Sequence, residues 1–596
     1  MTAGLSQVPA PPHQPAADSR DIGRVLAVRG SQASIGLPES GWNEPDETRA
    51  TVGKFLGIRS GDKLVVGVVT DVSVQTLPIA RDQGFNVTAM IDLMGEIKTG
   101  DDGKPHFQRG VTTYPAIGDP AFVLTTHQLR TIYDISGNDV IEIGHLQQDE
   151  SLPAYINIEE MLSKHFAILG TTGVGKSSGV AVILHEILRR RPDLRIFLID
   201  PHNEYGRCFG ERAQVLTPAN LRLPFWLFSF EETVDVVFRG RPGVDDEVEI
   251  LADLIPVARK VYGQTREAME RVAARKADPR AGYTVDTPVP YRLTDLVALI
   301  AERMGRLENR SSRATYNKLI GRLESLAADP RYGFMFENAN VGGDTMSSVL
   351  SQLFRLPTNN RPMTIMQLAG FPAEVVDSVM SVLGRMAFDF GLWSDGTLPL
   401  LFVCEEAHRY ASTDRSVGFG PTRRAISRIA KEGRKYGVFL GLVTQRPAEL
   451  DPTIISQCST LFAMRMSNDR DQALVRSAVS DAAANLLSFV PSLGTREVFA
   501  FGEGVAVPTR LRFKELPREQ LPKSDAFASS DADFGRTVDQ HFIDVVVDRW
   551  RGATLTTRMR QEQTPEPGST PAAAEQPPKR LDPSRYRLLK KPARTA

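Results

Sequence analysis

Apolar positions along this chain change period several times, and each change marks a different kind of structure. From about Asp21 to Asp149 short β-branched runs alternate with turn residues, as in GRVLAVRGSQASIGL, KLVVGVVTDVSV, VTAMIDLMGEI and DVIEIGHL. Short strands punctuated by Gly and Asp predict a small antiparallel barrel or sandwich. The pattern then shifts to fully apolar runs. His165–Leu169 predicts a strand, Lys176 to about Arg191 a helix, and Arg195–Asp200 a second strand, which together make a βαβ unit in a parallel sheet. Further strands are predicted at Pro362–Leu368, Leu398–Cys404, Val438–Thr444 and Thr460–Met466, with helices at Glu374–Phe390 and Thr422–Tyr436 between them.

Between about Glu231 and Gly342 the strand signal stops. Helical spacing replaces it, at Val248, Leu251, Leu254, Ile255 and Ala258, then at Leu319, Ile320, Leu323 and Leu326. This predicts a helical insertion that either packs on the core or offers a ring face or partner-docking surface. The expected division is therefore a Pro/Ala/Gln-rich disordered start (1–20), a β-barrel (21–150), a parallel-sheet α/β core in two parts (151–230 and 343–515) around the insertion (231–342), a helical segment (516–560, with Phe534–Trp550 amphipathic) and a disordered tail (561–596) ending in basic residues. That tail is either a solvated terminus or an arm for DNA or a partner.

Composition adds limits. A chain of 596 residues exceeds one hydrophobic core, so several domains are expected. Hydrophobic residues make up 41%, charged residues 24%, and the formal net charge is −1, which argues against wholesale electrostatic binding but leaves room for a local basic surface. Cys208, Cys404 and Cys458 are widely separated and form no metal or disulfide pattern, and neither a signal peptide nor a membrane-length apolar run is evident. A cytoplasmic protein without a membrane anchor is the expectation.

Four motifs carry chemistry. Gly170-Thr171-Thr172-Gly173-Val174-Gly175-Lys176-Ser177, followed by Ser178, is a complete G-x-x-x-x-G-K-[ST] loop between strand and helix. Its backbone N–H groups can cradle the phosphates of ATP, with Lys176 neutralising β/γ charge and Ser177 ligating Mg²⁺. Leu398–Cys404 leads into Glu405 and Glu406, two acids at the sheet edge where ligands bind. Glu405 is expected to hold Mg²⁺ directly or through water, although it is one methylene longer than the usual Asp, and Glu406 to orient and deprotonate the attacking water. Gln445 ends the next strand and can sense the γ-phosphate or lytic water. In the basic stretch Arg423–Gly437, Ala425, Ile426, Ile429 and Ala430 form the packing stripe. The outward Arg434, or alternatively Arg428, can serve as an arginine finger for a neighbouring subunit, Arg434 being preferred. Asp200-Pro201-His202-Asn203-Glu204-Tyr205 is either a structural turn or a border of the nucleotide or subunit interface, and its strand is expected beside the P-loop strand.

In their order and spacing, HFAILGTTGVGKSSGVAVILHEIL, FLIDPHNEY, FVCEEAHRY, IAKEGRKYGV and TQRP make residues 20–515 resemble the HerA family, in the HerA–FtsK branch of RecA-like ATPases. The resemblance implies an N-terminal HAS-barrel and a homohexameric ring that moves double-stranded DNA through its channel. It also implies an effector: a NurA-type nuclease in DNA repair or, in some relatives, a sirtuin-like or other enzyme in phage defence. By the same resemblance Lys176, Ser177, Glu405, Glu406, Gln445 and a trans-acting Arg434 carry the ATPase roles. The alternative function is an NTP-gated ring scaffold that organises an effector with little DNA movement; an export ATPase shares the same core.

Overall fold

The computed structural model describes residues 21–38, 49–74, 85–100, 103–134, 137, 139–238, 244–269, 282–306, 310–337, 343–371, 373–414, 418–479, 485–523, 543, 544 and 547. The expected disordered termini and most of the Phe534–Trp550 helix lie outside them. The chain divides into two compact units, Met1–Ala327 with Arg331–Val538, and Ala328–Pro330 with Asp539–Ala596. The first contains both sheets.

Seven N-terminal strands form the first sheet: β1 (Gly23–Arg29), β2 (Gln32–Pro38), β3 (Phe55–Ser60), β4 (Lys63–Ser73), β5 (Phe85–Thr99), β6 (Pro105–Arg109) and β7 (Pro120–Val123). Their order is β2-β1-β7-β3-β4-β5-β6, and β2 also pairs with β5. That last pairing closes six antiparallel strands into a barrel, which removes the open edges, and leaves β6 as an appendage on β5. Small and branched residues fill the interior, among them Val25, Ile35, Leu56, Ile58, Val65 and Ile91.

The second sheet has eleven strands: β8 (Val140–Leu146), β9 (Pro153–Asn157), β10 (His165–Leu169), β11 (Arg195–Asp200), β12 (Ala213–Leu216), β13 (Met363–Gln367), β14 (Leu400–Cys404), β15 (Val438–Thr444), β16 (Cys458–Met464), β17 (Glu497–Gly502) and β18 (Thr509–Phe513). The order is β12-β13-β11-β14-β15-β10-β16-β17-β18-β8-β9. From β12 to β16 neighbours run parallel; beyond β16 they alternate. Every residue of β10, β13 and β14 is buried, as strands covered on both faces require. The fold is thus α/β, a RecA-like mixed sheet with an N-terminal barrel.

Two strand placements differ from the sequence expectation. DVIEIGHL, grouped with the barrel strands, is β8 and pairs with β18 and β9 at the far end of the large sheet. Its alternating pattern suits either sheet, and only the partner strand decides. Similarly, β11 does not lie beside the P-loop strand β10, because β14 and β15 intervene. Arg109 Nη2 donates to Gly502 O at 2.6 Å, and Asn485 Nδ2 to Asp92 Oδ2 at 3.0 Å; both bonds tie the barrel to the core.

The helices needed below are α1 (Lys176–Arg190), α2 (Phe230–Phe238), α3 (Asp245–Met269), α4 (Leu293–Gly305), α5 (Arg310–Ala328), α6 (Ala373–Trp393) and α7 (Gly420–Glu432). The α2–α5 stretch occupies the predicted helical insertion. It is anchored to the core by a buried ion pair between Glu232 of α2 and Arg385 of α6, with Nη2–Oε2 at 2.9 Å. Ser381 Oγ donates to the same carboxylate at 2.7 Å, as does Ser229 N. Removing the cation strands a buried carboxylate, so Arg385→Leu is expected to cost about 3 kcal/mol, read as a lower urea midpoint.

Candidate active site

The P-loop runs from β10 into α1 through glycines that other residues replace only with strain. Gly173 has φ 77° and Gly175 φ 98°, both left-handed. A Cβ on Gly175 would also come within 3.0 Å of Arg496 Cγ. Lys176 opens α1, is 7% exposed, and donates from Nζ to Thr171 O at 2.8 Å across the loop. Burial pulls its ammonium pKa down, while Glu405, Glu406 and Glu204 act the other way.

Glu405 and Glu406 follow β14 across a cleft of about 640 Å³ from this loop. The cleft is lined by Gly173, Gly175, Lys176, Ser177, Glu405 and Glu406, with Ser178 and Gln445 also on its wall. Because β15 lies between β10 and β14, it carries Gln445 to a position between loop and acids. There Gln445 Oε1 accepts from the Thr172 hydroxyl, and its Nε2 donates to Glu406 Oε1. Glu406 has φ 51°, a left-handed conformation that costs energy for a non-glycine residue. His408 Nδ1 stands 3.3 Å from Glu406 Oε2, and His202 Nε2 3.8 Å from Oε1. Burial lowers the His408 pKa and favours the neutral ring.

Glu405 occupies a different environment. Burial raises its carboxyl to about 8, and a hydrogen bond from the Tyr205 hydroxyl to Oε1 partly offsets this. The Asp200–Tyr205 turn places that tyrosine. Asp200 accepts from the N–H groups of Glu204 and Tyr205, each at 3.0 Å, curling the chain back over the sheet edge. Glu204 Oε2 then accepts from Ser177 Oγ at 2.8 Å. The turn is therefore both a structural turn and a wall of the cleft, although two strands separate its strand from β10.

The residues fit a magnesium nucleotide. Left-handed glycines open the loop, a buried ammonium lies at its end, and Ser177 stands among Glu204, Glu405 and Glu406. Among the described residues no group of three or more His, Cys, Asp or Glu forms a metal cage. A hard cation here would complete its shell with phosphate oxygens and water, the usual arrangement for Mg²⁺ in nucleotide sites.

Arg434 lies elsewhere. It is exposed on the Gly433–Tyr436 turn that leads into β15, at the opposite end of that strand from Gln445 and the cleft. Arg428 is engaged within its own chain, 3.4 Å from Asp389 Oδ1 and 4.0 Å above the Phe388 ring centroid. Sequence reasoning missed His408, Arg496 and Lys523 as cleft neighbours. His408 was within reach, two residues after Glu406; Arg496 and Lys523 carry no local signal.

Residues 141–387 match the family model described as "Helicase HerA, central domain". The match starts in β8 and ends in α6, and so spans the helical insertion. The DNA double-strand break repair helicase HerA of Pyrococcus furiosus is 27% identical over 469 residues, covering 72% of this chain and 78% of the relative. The protein of the same name from Saccharolobus solfataricus is 24% identical, covering 83% and 93%. These matches support the HerA family. Among solved structures, VirB4 of Thermoanaerobacter pseudethanolicus aligns with TM-score 0.42 and 15% identity, over 65% of this chain and 99% of VirB4. The chain is a nucleotide-binding P-loop ATPase. Among the described residues, no helix is long and apolar enough to cross a membrane.

Proposed function

We propose that this chain is the motor subunit of a homohexameric ring that moves double-stranded DNA in the cytoplasm, working with a NurA-type nuclease or another effector enzyme. The observation that carries this reading is the link from Thr172 of the P-loop through Gln445 to Glu406. It joins the group next to the scissile phosphate to the group that activates water, so cleavage changes contacts on both sides at once. The relatives' names, double-strand break repair helicases, support DNA as the track. The barrel of β1–β7, the core around the large sheet, which includes β8, and the insertion at 231–342 then divide the labour of partner docking, hydrolysis and ring contact.

In the proposed reaction the loop amides and Lys176 hold the phosphate chain. Ser177 and Glu405 would hold Mg²⁺, which would offset phosphate charge. Tyr205 keeps Glu405 oriented, and burial raises its carboxyl pKa to about 8. Glu406 takes the proton of the attacking water. Gln445 fixes that water and senses loss of the γ-phosphate.

Arg434 completes a neighbour's site rather than its own, a head-to-tail contact of the kind that closes rings. Mixing Arg434→Ala subunits with Lys176→Ala subunits, each inactive alone, is expected to restore part of the ATPase activity, because some interfaces then join an intact P-loop to a neighbour's intact arginine. Mixed rings that recover no activity would rule out the trans role.

The function itself is tested by ATP turnover with and without double-stranded DNA, and by ATP-driven displacement of a third strand from a duplex track, with the nuclease partner present. The expected results are DNA-stimulated turnover that weakens as salt rises, since a channel contacting phosphates is sequence-independent and salt-sensitive, and displacement that requires ATP. Stimulation without displacement would instead identify a scaffold.

A further inference from the structure

Arg496 is the most unusual cationic residue of the cleft wall. Its backbone is left-handed, φ 65°, in a residue type that avoids that region. It is held there from both sides: Arg496 N donates to Val174 O of the P-loop at 2.8 Å, and Phe513 N of β18 donates to Arg496 O at 3.0 Å. Its side chain leans on Gly175, where a Cβ would meet Arg496 Cγ at 3.0 Å, and it lines the cleft beside Gly173 and Lys176. The guanidinium pairs with Glu515, whose side chain is 79% exposed while that of Arg496 is 21% exposed.

That ion pair is weakly held. An ion pair with a solvated carboxylate contributes little, because water competes for it and the flexible acid loses freedom. A phosphate chain in the cleft offers more negative charge and oxygens spaced for a bidentate guanidinium contact. The two ends of the loop also face different groups. The Thr172 end reaches Glu406 through Gln445, whereas the Val174–Gly175 end abuts Arg496. A nucleotide whose terminal phosphate lies toward Glu406 therefore presents its inner phosphates to Arg496.

We propose that Arg496 is a nucleotide-binding residue that exchanges its ion pair with Glu515 for the inner phosphates of the bound nucleotide. This rests on the P-loop reading of the cleft and adds a contact shared by ATP and ADP, unlike those of Glu406 and Gln445. The exchange also has an address beyond the cleft. Glu515 opens a segment that returns over the cleft, where Cys208 Sγ donates to Gln520 O at 2.8 Å and Lys523 N to Glu204 O at 2.9 Å. Nucleotide arrival thus frees the carboxylate at the root of a strap whose far end rests on the residue that accepts from Ser177.

The test is titration of the full chain with a fluorescent ADP analogue and, in competition, with ATP. Arg496→Gly suits the left-handed backbone and so keeps the local fold; its retention is checked by an unchanged thermal midpoint. It is expected to weaken ADP and ATP alike by about tenfold, the scale of one charge-assisted contact. Glu515→Gln releases the arginine and is expected to tighten both several-fold. The opposite signs separate this role from a structural ion pair, for which both variants would act in the same direction. Unchanged affinity in Arg496→Gly, or weaker binding in Glu515→Gln, would overturn the proposal. Lys176→Ala in the same assay keeps the two readings apart: if it abolishes binding while Arg496→Gly does not alter it, the P-loop reading stands and this one falls.

Discussion

Glu406→Gln is expected to lower ATP turnover by about 10³-fold while nucleotide still binds, the scale on which a positioned general base contributes. The amide keeps the size of the side chain and can still meet Gln445, so the cleft stays assembled. What disappears is the ability to take a proton from water. Steady-state phosphate release, together with titration of a fluorescent nucleotide, reads the two quantities separately. Retained turnover would assign the base role to another group, and Glu405 is poorly suited because burial holds it protonated near neutral pH. Loss of binding would mean that Glu406 shapes the cleft rather than the chemistry. The left-handed backbone of Glu406 gives the result particular weight, since strain at a non-glycine residue persists only where surrounding structure enforces it.

Lys176→Ala is expected to weaken nucleotide binding by about 10²-fold or more and to abolish turnover, because it removes a buried cation aimed at phosphate from a low-dielectric site. The nucleotide-free fold is not expected to suffer. Burial penalises the ammonium, and its hydrogen bond is to a loop carbonyl rather than to a core group. A thermal midpoint that stays level without nucleotide and no longer rises when nucleotide is added would show both effects in one experiment.

Much of the ATPase core was legible because its signals are local. A wholly apolar run, a glycine loop and a helix-period run predict β10, the P-loop and α1 almost to the residue, and the same reasoning placed β14, β15 and β16 within two residues at each end. The acid pair was visible because a buried strand must end where polar residues resume. The helical insertion was visible through its change of period, and the barrel through its short punctuated strands.

The remaining features depend on which distant segments meet. Whether DVIEIGHL joins the barrel or the large sheet is decided by its pairing with Thr509–Phe513, a partner no local pattern names. The interposed β15 turns Gln445 from a neighbour of the acids into a bridge between them and Thr172. Tyr205 reaches Glu405 only because the Asp200 turn folds back over the sheet edge, and Arg496 reaches Gly175 only because β17 starts beside the loop. Sequence alone therefore determined the elements, the phosphate-binding loop and the carboxylates, through periodicity and turn chemistry that act within a few residues. Tertiary structure alone decided strand order, the environment that separates Glu405 from Glu406, and the placing of Arg434 at the far edge, since pairing, burial and field arise between residues distant in the chain.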